Sequence, residues 1–361
     1  YGDKENYSEI KYYKWKTDEN GIKVLEEGTS TDNDLKYYVP KNLSEPLTDI
    51  PSGSDVNANF VDLTLDSKTN VIKNIKGSEI GKITADFVNV EGNVPVNNAG
   101  KIDSIEVNAI NNHNPLGVSF ITNSGVDANI GSITGNFIGN TSSKASSIIS
   151  NSGGAHIGSI TGNFIGTGKL GTGSWAGSVI NNDNLGLNTI DSIEGVFIDN
   201  YNRDRGGAIS NGGIIDSIKG VFINNYSTEG SAIWQYGVVD SIEGYFEGNS
   251  GSAAIFAYQR GLLGNAKYNI GSIKGIFKDN KNGAIYISGQ KVGSINGIFI
   301  GNKGLGGVCG DWGRPIIEHV SGYFENNSNR AVSNTSSSTM YDITGIFIKN
   351  NSTAKGGAII N

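Results

Sequence analysis

The sequence predicts an all-β protein, a right-handed parallel β-helix of about eleven coils with an N-terminal β cap. Three observations predict this fold: a short phrase that recurs through most of the chain, strand-like alternation inside that phrase, and a composition of 52 glycines but only 6 prolines in 361 residues. A chain that repeats one strand-forming unit and varies the loops between copies is typical of a solenoid.

The recurring phrase reads Ser-Ile-x-Gly-x-Phe-Ile, and its Phe, replaced once by Ala, recurs every 22 to 33 residues. These anchors are Phe60, Phe87, Ala109, Phe137, Phe164, Phe197, Phe222, Phe246, Phe277, Phe299, Phe324 and Phe347. Ile133, Gly135 and Phe137 lie two apart with polar residues between them, which is the period of a β-strand. No coil shows helical spacing of apolar residues, so helical repeat arrays are excluded.

A second phrase, Gly-Ala-Ile-Ser-Asn, lies between the anchors, for example at residues 207–211, so each coil is predicted to contain at least two strands. Its last residue forms a column in which stacked amides can bond to one another and to the turn backbone. This predicted asparagine ladder consists of Asn98, Asn123, Asn151, Asn182, Asn211, Asn334 and Asn361.

One outward position of the first phrase alternates in charge on four successive coils. Its residues are Glu194, Lys219, Glu243 and Lys274. Because neighbouring parallel strands lie about 4.8 Å apart, each of these side chains is expected to pair with the opposite charges on the coils above and below it.

Residues 1–55 depart from the repeat and are predicted to form the N-terminal cap. Glu19-Asn20-Gly21 is a turn signal between two strand-like segments, near residues 9–15 and 22–25, and predicts a β-hairpin. The β-helix is predicted over residues 56–361. We expect further coils or a cap beyond it, because a bare strand edge invites pairing.

From about Phe60 to Asn361, the two phrases resemble the passenger repeats of bacterial autotransporter adhesins, a pectate-lyase-like family of right-handed β-helices. The resemblance implies an extracellular or cell-surface protein, exported through the outer membrane by type V secretion. Its implied function is adhesion to glycans or host proteins through a lateral face, without catalysis. Two alternatives stay open, because the scaffold hosts several functions: a polysaccharide lyase or glycoside hydrolase, and a purely structural spacer.

Composition and charge exclude several classes of binding partner. The net charge of −7 is scattered and includes no basic stripe, so nucleic-acid binding is not expected. No run of 18 apolar residues occurs, so membrane insertion by this segment is not expected either. The single cysteine, Cys309, excludes a disulfide framework, and His113, His156 and His319 fall on separate coils. The expected partner is a glycan or a cell-surface protein, with self-association as a further option.

Aromatic residues occupy matching places of the second phrase on three consecutive coils, next to isoleucines that alternation turns inward. They are Trp234, Tyr236, Phe256, Tyr258 and Tyr286. Exposed aromatic patches mark contact sites, so these residues are the predicted binding site. The alternative is an aromatic stack that the loop at 260–269 covers.

Three aspartates precede the same Ser-Ile on adjacent coils: Asp191, Asp216 and Asp240. They are a weak candidate for a Ca²⁺-binding edge and, for the enzyme alternative, for the paired carboxylates of a glycosidase. We favour a third interpretation, in which each Asp caps its own corner turn. No catalytic residue and no other cofactor is predicted.

Overall fold

The computed structural model describes residues 7–17, 23–27, 29, 35–40, 50–64, 70–92, 95–115, 117–142, 146–169, 178–182, 187–258, 266–335, 337–352 and 357–360. These residues form an all-β parallel solenoid of about 11 turns, which confirms the predicted fold class. Within those ranges, no helix has the length and hydropathy needed to cross a membrane.

A long sheet of parallel strands carries the Phe anchors, one strand per coil. Its described strands are β4 (Ser54–Val61), β6 (Glu79–Val88), β8 (Lys101–Ile110), β11 (Asn129–Ile138), β14 (His156–Ile165), β17 (Thr189–Ile198), β19 (Ile214–Ile223), β21 (Val238–Glu247), β23 (Ile270–Lys278), β25 (Lys291–Ile300), β27 (Ile316–Glu325) and β29 (Thr339–Ile348). Residues at equal places in the repeat are register partners, so they form columns along the solenoid.

A second parallel sheet of short strands carries the other phrase. Its described strands are β5 (Ile72–Asn74), β7 (Val96–Asn98), β10 (Ile121–Ser124), β13 (Ile149–Ser152), β16 (Ile180–Asn182), β18 (Ile209–Asn211), β20 (Ile233–Gln235), β22 (Ile255–Ala257), β24 (Ile285–Ser288), β26 (Val308–Asp311), β28 (Val332–Asn334) and β30 (Ile359–Ile360). A third, smaller parallel sheet joins β9 (His113–Asn114), β12 (Thr141–Ser142) and β15 (Gly168–Lys169).

An antiparallel sheet precedes the coils. It orders β2 (Lys23–Glu27), β1 (Tyr7–Thr17) and β3 (Leu35–Pro40), with β1 in the middle. The antiparallel pairing of β1 with β2 agrees with the predicted hairpin, whereas its turn at residues 19–21 lies outside the described residues. The division of the chain into cap and solenoid at residue 55 stays a prediction.

The interior of the solenoid is a continuous stack of aromatic rings. Phe197 and Phe222 lie with ring centroids 4.9 Å apart and planes 2° from parallel, and the other neighbouring anchors repeat this geometry. Where Ala109 replaces the anchor, Phe120 enters from beside the short sheet and packs edge-on, 5.1 Å from Phe87 and 6.3 Å from Phe137. The substituted ring restores the volume that a close-packed core needs.

The predicted asparagine ladder is confirmed over part of its length and extends one coil further at each end. Asn98 donates to Asn123 at 2.7 Å, and the chain of amide bonds continues in register through three more coils. Asn74 joins before it, and Asn211 donates to Gln235 Oε1 at 3.0 Å after it. Asn334 bonds locally to Ser338, and Asn361 lies outside the described residues.

A second buried ladder, not predicted from the sequence, runs along the corner after the long strands. Its amides join Asn112 to Asn140, and then join Asn200, Asn225, Asn249, Asn280, Asn302, Asn327 and Asn350 in one series. Each amide of that series also donates to an anchor carbonyl of the preceding coil, as Asn225 does to Phe197 at 2.9 Å. The residue before the ladder position turns the corner in the left-handed region, with φ of 54° at Asn224.

The alternating charges stack in register as predicted, but they form two separate ion pairs rather than one continuous series. Glu194, Lys219, Glu243 and Lys274 are successive register partners. The Nζ of Lys219 lies 3.7 Å from Glu194, and the Nζ of Lys274 lies 3.7 Å from Glu243. All four side chains are exposed, so each pair adds only a small stabilisation.

Candidate functional site

The five predicted aromatic residues lie together on the short sheet and the turn that follows it; we call them the aromatic cluster. Trp234, Phe256 and Tyr286 are register partners on β20, β22 and β24. The rings of Phe256 and Tyr286 stack at 4.8 Å, and those of Trp234 and Tyr236 stack at 5.1 Å. The shared register brings side chains that are far apart in sequence into one cluster.

The members of the aromatic cluster differ in exposure. Trp234 is only 3% exposed, and its Nε1 has no hydrogen-bond partner. The Arg205 guanidinium lies 4.8 Å from the centroid of the Trp234 ring, within cation–π distance. Trp234 is therefore buried within the cluster.

Tyr258 is the most accessible ring of the aromatic cluster, at 45% exposed. Phe256 and Tyr286 are half-buried beside it, with 6.3 Å between the centroids of Phe256 and Tyr258. These three rings stack on one another and leave partly exposed apolar surface at one place on the solenoid. The alternative was that the loop at 260–269 covers these rings, but residues 260–265 lie outside the described residues. The binding role of all five aromatic residues therefore stays a prediction.

Gln290, a residue that the sequence did not single out, holds the backbone of the aromatic cluster. Its Nε2 donates to the carbonyl of Tyr258 at 2.7 Å and to that of Gln235 at 3.1 Å, reaching across two coils. The Tyr258 N–H in turn donates to Gln235 at 2.9 Å. These hydrogen bonds hold both carbonyls in place, and with them the backbone that carries the exposed ring. The signal that the sequence offered was a Gln just after a short strand, on a coil where Ile287 stands in place of the ladder asparagine.

The electrostatics at the far edge of the aromatic cluster keep its groups protonated. Burial, and after it the nearby carboxylate of Asp311, raises the pKa of Tyr286 to about 12. Burial likewise raises the pKa of Cys309, the next residue in the column, to about 11. Both groups are neutral near pH 7, so Cys309 is a packed thiol rather than a nucleophile.

The three aspartates lie inside β17, β19 and β21, at the same place of the repeat, with Asp216 in the middle. The favoured interpretation, in which each Asp caps a corner turn, is therefore wrong, because the backbone at all three positions is strand. Burial and then the charges of Asp191 and Asp240 raise the pKa of Asp216. His156 lies 3.6 Å from Asp191, through Nε2 and Oδ2. Across the described ranges, no three His, Cys, Asp or Glu side chains form a group that could hold a metal ion. Ca²⁺ binding at this column stays a prediction.

The histidines do not converge. His113 Nδ1 lies 2.9 Å from Thr141 Oγ1, and His156 Nδ1 lies 2.7 Å from Thr189 Oγ1. His319 lies beside Asp342, with 3.5 Å between Nδ1 and Oδ2. Each side chain contacts a neighbouring coil, so the three provide local contacts at separate places.

Comparison with known proteins gives no match: no family model, no curated protein and no solved structure corresponds to this chain. The structure shows a parallel β-solenoid of about 11 turns, which is consistent with a β-helix repeat family.

Proposed function

We propose that this chain is a carbohydrate-binding β-solenoid, displayed outside the cell in the manner of an autotransporter passenger, and that the aromatic cluster is its binding site. The observation that carries the proposal is the stack of the exposed Tyr258 with the half-buried Phe256 and Tyr286, on a backbone to which Gln290 is hydrogen-bonded. Sugar rings present apolar C–H faces, which pack well against aromatic faces.

The polar groups beside these rings suit the hydroxyl groups of a carbohydrate. Asp311 lies beside Tyr286 and accepts a hydrogen bond from Thr335 Oγ1 at 3.2 Å, so a carboxylate stands at the edge of the apolar surface. A few polar groups around an apolar surface fix the orientation of a ligand. Because Gln290 anchors the Tyr258 backbone, little ordering is needed on binding, which favours affinity.

The test is binding of a panel of immobilised oligosaccharides, followed by titration calorimetry with any that bind. Tyr258→Ala is expected to weaken binding on the order of tenfold, whereas Tyr258→Phe keeps the ring and most of the affinity. Tyr341→Ala, which removes a 70% exposed tyrosine on β29, is the matched control and should bind normally. Equal affinity of Tyr258→Ala and the unmodified chain would refute the assignment.

A polysaccharide lyase or hydrolase is the second candidate, favoured by one observation. Asp216 has a raised pKa between two flanking carboxylates, an environment that its neighbours Asp191 and Asp240 do not share on both sides. Glycan turnover that disappears in Asp216→Asn would support this candidate. Binding without turnover supports the binding protein, and a purely structural spacer would bind no glycan.

A further inference from the structure

The outer face of the long sheet carries a groove that the aromatic cluster does not use. Its floor is the glycine column of the repeat: Gly195, Gly220, Gly244, Gly275, Gly297 and Gly322. A Cβ on Gly220 would lie 2.5 Å from the Gly195 carbonyl oxygen, so only glycine fits this floor. Six rungs give the groove a length of about 25 Å.

One wall of the groove is an exposed apolar column. It consists of Val196, Val221, Tyr245, Ile276, Ile298 and Tyr323, the residues immediately before the Phe anchors. Ile276 and Ile298 are each 39% exposed, although both lie in well-paired strands. The hydroxyls of Tyr245 and Tyr323 donate to Glu247 and Glu325 at 2.7 Å, which holds both rings along the wall. A continuous apolar column on a solvent-facing sheet indicates a contact surface.

The opposite wall carries the alternating charges Glu194, Lys219, Glu243 and Lys274. An alternating column is complementary to itself when it is reversed. In a dimer whose twofold axis lies in the interface, at right angles to the solenoid axis, each column faces its own reversed copy. Negative residues then face positive ones, and apolar residues face apolar ones.

We propose that a second copy of this chain packs face to face on the two walls of the groove, in an antiparallel dimer whose twofold axis runs along the strands between β21 and β23. Glu243 of each copy then faces Lys274 of the other, and Tyr245 faces Ile276. The remaining apolar residues pair as Val221 with Ile298 and Val196 with Tyr323. An axis through β23 would instead set Lys274 against Lys274, and an axis through β21 would set Glu243 against Glu243, so the charges place the axis between two strands. Among such axes, the one between β21 and β23 pairs all six residues of the apolar wall with one another, whereas an axis between β19 and β21 would set Ile298 against the polar Asn163.

Charge exchange tests both the dimer and its register. Sedimentation velocity of the 361-residue chain over a range of concentrations should show a dimer that weakens as salt is added. Lys274→Glu alone and Glu243→Lys alone should each raise the dissociation constant on the order of tenfold, because like charges then face each other. An equimolar mixture of the two variants should dimerise again, because their opposite charges are restored only in this register.

The apolar wall gives the second arm of the test. Ile276→Lys should abolish dimerisation, whereas Val126→Lys, at a 77% exposed apolar residue outside the groove, should not. Circular dichroism of each variant shows whether the β-solenoid persists. A monomer at every concentration, or a dimer that none of the groove variants weakens, would overturn the proposal. Glycan binding at Tyr258 is measured separately, so either proposal can fail alone.

Discussion

The outward column beside the Phe anchors changes character along the solenoid. On β6, β8, β11 and β14 it is polar, and Asp86, Asn108, Asn136 and Asn163 bond to one another at 2.6 to 2.8 Å. From β17 onward the same column is apolar, beginning with Val196 and Val221. The backbone register continues across this change without interruption.

The interior is an aromatic stack in both regions, although in the first region Phe120 packs edge-on in place of the ring that Ala109 lacks. Phe137 stacks on Phe164 at 4.9 Å in the first, and Phe222 stacks on Phe246 at 4.7 Å in the second. Both regions share the interior aromatic stack, but they differ in the outward column. We infer that packing in the interior determines the fold. The outside is then free to differ, as expected of a scaffold that hosts function on its surface.

The largest loss of stability is expected when an interior aromatic ring is removed. Phe222→Ala should cost about 3 to 5 kcal/mol of unfolding free energy, because the ring is fully buried and its loss leaves a cavity. Phe164→Ala should cost a similar amount in the first region. Urea denaturation measures both, and a loss confined to one region would show that the two interiors are not equivalent.

A smaller loss is expected from the second ladder. Asn225→Ala should cost about 3 kcal/mol at most, since it leaves the Asn200 N–H and the Phe197 carbonyl short of buried partners. Asn136→Ala removes a half-exposed amide whose lost bonds water can replace, so its cost should stay near 0.5 kcal/mol. If the two variants lost similar amounts of unfolding free energy, burial would not explain the difference between the buried ladder and the exposed asparagine column.

Much of this fold was predictable because one column, the Phe anchors, carries most of the interior. The first ladder followed from Asn211 and its counterparts. The second ladder was not predicted, although Asn225 and Asn249 each stand three residues after their anchors. A corner position and a buried amide ladder give the same sequence signal.

The second ladder is interrupted at Thr167, close to the boundary between the two regions. The Thr167 N–H already donates to Asn200 Oδ1 at 3.1 Å, but its side chain makes only long contacts with carbonyls. Thr167→Asn should connect Asn140 to Asn200 and stabilise the fold by about 1 kcal/mol. The shift in the midpoint of thermal unfolding measures it. A destabilised variant would indicate that the corner cannot take the larger amide.

The smallest effect concerns the aspartate column. Because the folded-state pKa of Asp216 is raised, its charge opposes folding near neutral pH, and this cost disappears below the ordinary value of 3.8, where both states are protonated. Asp216→Asn should therefore raise the unfolding midpoint slightly at pH 7 and leave it unchanged at acidic pH. Asp103→Asn, which removes a carboxylate 3.0 Å from Lys101, should give no such gain.

The surface sites were less predictable than the fold. The five residues of the aromatic cluster were identified by column, but alternation could not tell that Trp234 is buried beside Arg205 while Tyr258 is exposed. That difference depends on turns of variable length. The apolar wall was visible in the sequence as the residue before each anchor, from Val196 onward, and was overlooked because single exposed apolar residues are common.

The most direct test of the separation between interior and exterior replaces four residues of the apolar wall, Val221, Tyr245, Ile276 and Ile298, by Asn in one variant. Paired sedimentation and thermal unfolding of this variant is the measurement. We predict a monomer with an unfolding midpoint within a few degrees of the unmodified chain measured as a monomer. A midpoint that falls as far as that of Phe222→Ala, or an unchanged dimer, would contradict the account.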